Sequence, residues 1–157
     1  MRDDVKDLFN NLLKHLDSKK ILLNNLLENE KSASDLLKYR NDAEDDLLRI
    51  IEDETASIDE INIIDYDISQ IKDEINRRYS IDFDKIFKKN YYTSEPEIIN
   101  YKDEVLLHED ILNRIIILKK QNNILMENDQ EDLKIQIDEL ERMSKLKIIN
   151  SKDLQSF

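Results

Sequence analysis

Residues able to do chemistry are few in this 157-residue chain, and they do not converge. Cysteine is absent, which removes disulfides, thiolate metal ligands and a thiol nucleophile. The two histidines, His15 and His108, fall on different predicted helices. Neither has a second His or Cys at i+3 or i+4 with which to grip a metal. A ferritin-like di-iron site would need Glu-x-x-His on two helices; HEDI at 108–111 does not supply it, and the motif occurs nowhere else. Carboxylates at helical spacing, such as Glu127 with Glu131, and the oppositely charged Asp138 and Arg142, are ordinary on any charged helix. With no glycine, no loop can cradle a phosphate. No catalytic residue, no metal and no cofactor is expected, and the chain reads as a non-enzyme.

Binding is what remains, and here it must be done by helices. The densest apolar stretch is VLLHEDILNRIIILKKQNNILM, Val105 to Met126. Its apolar residues recur at spacings of three and four, giving a helix face too wide for one partner. This predicts the central helix of a small bundle. No glycine and a single proline argue against the turns a β-rich fold requires. The expected fold class is all-α: an elongated antiparallel bundle or coiled coil of three long helices, with a short aromatic-rich helix in a connection. The length suits one helical domain over 1–157.

Charge narrows the partners. Against 24 Lys and Arg stand 36 Asp and Glu, a net charge of −12, so there is no broad basic surface for a phosphate backbone. Neither nucleic acid nor an anionic membrane is an expected partner. MRDDVKDLFNNLL carries five charges before its first leucine, unlike a secretory signal. No apolar run approaches the roughly 20 residues needed to cross a bilayer. The expected location is the cytoplasm.

Along the chain, the first helix begins near Asp3 or Asp4, where acidic side chains suit the positive end of the helix dipole. Phe9, Leu12, Leu16, Leu23, Leu26 and Ala33 form its buried stripe, interrupted by Lys19 and Glu30. Ser32, Ser34 and Asp35 are the expected break, although no Gly or Pro enforces one. A second helix is expected over 35–78, with a coiled-coil seam at Ile61, Ile64, Ile68, Ile71 and Ile75. The acidic residues between, Glu54 and Asp65 among them, read as its solvated side. Residues 79–101 gather most of the aromatics, and Asp82 or Ser80 can cap a short helix bearing Phe83, Ile86 and Phe87. The aromatics are either a docking surface or a plug at the end of the bundle. Ser94, Pro96 and Glu97 mark the next helix start.

The third long helix loses its apolar face at ENDQED, 127–132, and regains it at Leu133, Ile137 and Leu140. Unbroken from about residue 95, it would be on the order of 80 Å long, more than the other helices can cover. Either it breaks near Asn128 and Asp129, or residues 127–157 protrude with an uncovered stripe, the mark of a partner site. Asn122 counts back from Leu125 and Leu118 to a core position, where a buried Asn fixes register; with drift in helix phase it is exposed.

Leu23, Leu26 and Leu27 followed by Glu30, a second charged helix with Leu47 and Leu48, and the late LNRIIILKKQNNILMENDQ with Leu118, Asn122 and Leu125 resemble the FlgN-type flagellar export chaperones. The resemblance implies a cytosolic helical chaperone of hook-associated flagellar subunits that delivers them to the type III export apparatus. It also implies a cargo site on the late helix, at Leu118, Asn122, Leu125, Met126, Leu133, Ile137 and Leu140. An open amphipathic stripe could cover an aggregation-prone helix of such a subunit. On this view truncation after Asn128 abolishes capture. The alternative is a structural coiled-coil adaptor that homodimerises through the Ile61–Ile75 seam.

Overall fold

The computed structural model describes residues 1–39, 42–126 and 131–144, the side chains of 131–134 excepted. The described residues are helical, with no strand, so the all-α reading holds. Helix α1 spans Asp3–Tyr39, α2 Glu44–Tyr79, α3 Phe83–Ile86, α4 Pro96–Met126 and α5 Glu131–Met143.

Local chemistry accounts for most of these ends. Asp3 and Asp4 open α1, and Glu44, Asp45 and Asp46 open α2, where carboxylates meet the positive dipole end. The expected break at Ser32–Asp35 does not occur. Ser34 points inward, and its hydroxyl donates to Asn122 Oδ1 at 2.6 Å, so it does not draw on backbone groups that helix continuation needs. Ser80 ends α2 in the left-handed conformation at φ 55°, its N–H bonded to the Asn76 carbonyl. A glycine would ordinarily take that place, and this chain has none. Asp82 caps α3 by accepting from the Asp84 N–H. Pro96 stands in the first turn of α4, but the hydroxyl at this start is that of Thr93, accepting from the Glu95 N–H at 3.1 Å, rather than the expected Ser94.

Cross-helix pairs give the arrangement. Asp4–Tyr79 and Lys19–Asp65 set α1 antiparallel to α2, while Lys20–Glu104 and Ser34–Asn122 set it parallel to α4. The central helix is therefore α1, packed on both α2 and α4, and not the apolar-rich 105–126 segment. The V between α2 and α4 is filled at one end by α3 and at the other by α5. Around α3, Val5, Phe9, Leu12 and Leu16 meet Ile68, Ile71, Ile75, Ile86 and Ile98. Phe83 packs edge-on to Tyr101 at 5.1 Å and against Phe9 at 5.9 Å, so these aromatics are the bundle-end plug. Tyr92 alone of the expected group stands largely in solvent. Around α5, Leu23, Leu26 and Leu27 meet Ile58, Ile61, Ile111, Leu112, Ile115, Ile116, Leu140 and Met143.

The packing bears on two of the open alternatives. Ile61, Ile68, Ile71 and Ile75 are buried by the chain's own helices, so that seam is not free to pair with another copy. Of the two courses left open for the late helix, residues 131–143 do not take the projecting one; the expected break near Asn128 and Asp129 lies outside the described residues. Helix α5 packs on α4 and α2 with Ile137, Leu140 and Met143 buried, because the alternative would leave that stripe in water.

A candidate docking groove and its buried polar latch

The groove begins with a charge. Lys119, at the core position one α4 turn beyond Ile115, is 1% exposed. A lone buried ammonium is untenable, and the chain supplies two carboxylates: Glu30 of α1 at 3.1 Å and Glu54 of α2 at 3.0 Å. Lys119 Nζ also donates to Gln136 Oε1 of α5 at 2.7 Å. Gln136 Nε2 donates onward to the Ile51 carbonyl and to Thr55 Oγ1 at 3.1 and 2.8 Å. One ammonium thus ties together all four of the helices longer than a turn.

Asn122, one α4 turn on, is buried, which decides between the two sequence readings. Its amide donates to the Glu30 carbonyl and carboxylate at 3.1 and 3.2 Å and accepts from Ser34. Burial pushes the Glu54 carboxyl up to about 9; Lys119 pulls it down, and Glu30 beside it pushes it up. Burial thus favours the protonated form of Glu54. Lys119 lies between the Glu30 and Glu54 carboxyl groups, and neither Glu54 oxygen has an aligned hydrogen-bond partner.

A rim surrounds this interior. Lys120 pairs with Glu141 at 2.9 Å, Arg142 with Glu139 and Asn62, and the Ser144 hydroxyl with the Glu109 carboxylate. Below the end of α5 the V between α2 and α4 stays partly open as a cleft of about 130 Å³, with Lys19, Ile68, Phe83, His108 and Met143 on its walls. Lys19 lies 2.7 Å from Asp65. His108 is buried. Burial, then Lys19 and Lys20, lower its imidazole to about 4 despite a hydrogen bond to the Leu16 backbone, so it is neutral; its Nε2 makes no hydrogen bond and lies 3.8 Å from Glu104 Oε2.

The expected cargo residues separate in three dimensions. Leu118 and Met126 are half-buried on α4, and Leu125 is exposed. Asn122 belongs to the interior network. Ile137 and Leu140 face the chain's own core, and the side chain of Leu133 lies outside the described residues. They form no single open stripe. Lys119, Glu30, Glu54 and Gln136 were not singled out as a site. The signal was present in part: Lys19 and Glu30 interrupt the stripe of α1, and each is a buried ion-pair member. Glu54 and Asp65 likewise leave the solvated side to which their neighbours belong.

Comparison with protein-family models, curated proteins and solved structures finds no match to this chain. No helix among the described residues is long and apolar enough to cross a membrane.

Proposed function

We propose that this protein is a non-enzymatic helix-binding chaperone of the flagellar export type, which receives an amphipathic helix of a client in the groove that α5 fills in the unbound chain. One observation carries this. A 13-residue amphipathic helix lies across a scaffold of three long helices with Ile137, Leu140 and Met143 in the groove, the geometry in which helical ligands are held, realised within one chain. The clients named by the resemblance are hook-associated subunits, kept from premature assembly in the cytoplasm and passed to the export apparatus. Leu118 and Asn122 then belong to the receiving groove and its floor, Leu125 and Met126 to its rim. Leu133, Ile137 and Leu140 belong to the helix that a client replaces. The acidic surface favours a client with a basic rim and sets association rate more than affinity.

Burial of Ile137 and Leu140 reverses the truncation expectation. A chain ending at Met126 should keep the helicity of α1, α2 and α4 and bind the terminal helix of a hook-associated subunit more tightly than the whole chain, by isothermal calorimetry. A peptide of residues 131–143 should compete. Absence of binding by both the whole and the shortened chain rejects the reading.

A further inference from the structure

Among the described side chains of α5, Gln136 is the one buried polar group, 4% exposed beside Ile137. An amide in that position is costly unless both of its ends are met. Both are: its oxygen accepts from Lys119 Nζ of α4 at 2.7 Å, and its nitrogen donates to the Ile51 carbonyl and Thr55 Oγ1 of α2 at 3.1 and 2.8 Å. The Thr55 hydroxyl gives its single proton back to the Ile51 carbonyl at 2.8 Å, so towards the groove that oxygen can only accept. The Lys119 ammonium can only donate.

The long helices therefore present a fixed pattern, one donor on α4 beside two acceptors on α2, and none of these groups belongs to α5. A carboxamide answers that pattern from one side chain, with an oxygen that accepts and an NH2 that donates twice. A carboxylate of the same length satisfies Lys119 but turns its other oxygen on two acceptors. Methionine fills the space and meets none of the three. Sites built to hydrogen-bond a ligand discriminate more sharply than apolar pockets, because the wrong ligand leaves buried groups unpaired.

We infer that Lys119, Ile51 and Thr55 form an amide-reading site that selects the helix received by the groove: a client carries a glutamine followed by apolar residues one, four and seven positions on, as Gln136 is followed by Ile137, Leu140 and Met143. This rests on the client reading above and narrows it from any amphipathic helix to one class. The apolar positions supply affinity. The amide fixes register, since a slip of one helical turn would set Leu140 against Lys119.

Two measurements on whole chains test it. In hydrogen exchange, Gln136→Met and Gln136→Glu should each raise the opening of α5 by about tenfold or more over the wild type, with α1 unchanged. Methionine is the stringent comparison, because a groove that values apolar burial alone would hold it as well or better. Fluorescence anisotropy reads the same choice between molecules. A labelled peptide of residues 131–143, offered to the whole chain carrying Leu140→Ala to loosen its own α5, should bind about tenfold or more tighter than the peptide with Gln136→Met or Gln136→Glu. Equal exchange in the wild type and Gln136→Met overturns the inference. Equal binding by the three peptides also overturns it, while leaving the groove a helix site. Binding by none of them rejects the client reading, and this inference with it.

Discussion

Lys119 is the residue whose replacement separates the energetic terms most clearly. Lys119→Met leaves the Glu30 carboxylate buried without its cation, and the expected loss is about 3–5 kcal/mol in chemical denaturation. Replacing Glu30, Glu54 and Lys119 together by leucine and methionine should lose far less, because no unpaired charge is left inside. Glu54 makes a pH prediction. Its folded-state pKa, about 9, lies above the ordinary 4.5, so the native state binds the extra proton, and stability falls as pH rises from 4.5 towards 9. His108 has the opposite displacement, from 6.5 down to about 4, so its contribution is lost as pH falls through that window. The two groups oppose one another below 6.5, which leaves the alkaline side to Glu54. Thermal midpoints should drop between about pH 7 and 9 in the wild type, and Glu54→Gln should flatten that slope. An unchanged slope in the variant would mean that Glu54 is ionised in the native state.

At the scale of elements, α5 is held to the scaffold less extensively than α1 is to α2 and α4, and through specific polar contacts. Gln136→Ala deprives Lys119 and the Ile51 carbonyl of a partner, and Leu140→Ala opens a void in the upper core. The first should cost about 1–3 kcal/mol and the second about 2–5 kcal/mol. Hydrogen exchange should place both losses first in α5, with α1, α2 and α4 still protected, because α5 can leave without dismantling the α1 interfaces. Uniform loss of protection would show instead that α5 is part of the cooperative core. The end of α2 offers a gain. Ser80 occupies a left-handed position, so Ser80→Gly should raise stability by about 0.5–1 kcal/mol, read as a higher midpoint in urea.

For the whole molecule, the described residues form a three-helix V closed by two short helices. The inner side of the V holds α5, and the proposed function is that a client helix takes its place. Much of this architecture was legible in the residues. The stripe of Phe9, Leu12, Leu16, Leu23 and Leu26 specifies the buried side of α1, and Asp82 and Pro96 mark two helix starts, because capping and periodicity are local properties of the chain. The composition by itself determined an all-helical protein without glycine turns or thiol chemistry. Tertiary structure alone decided that α1 rather than α4 is central, that Lys19, Glu30 and Glu54 are interior, and that α5 covers its own apolar stripe. Those outcomes depend on partners far apart in sequence, such as Glu30 and Lys119 at a separation of 89 residues. Helical periodicity says which residues share a side, but the burial of a charge is settled by whether an opposite charge from another helix arrives to meet it.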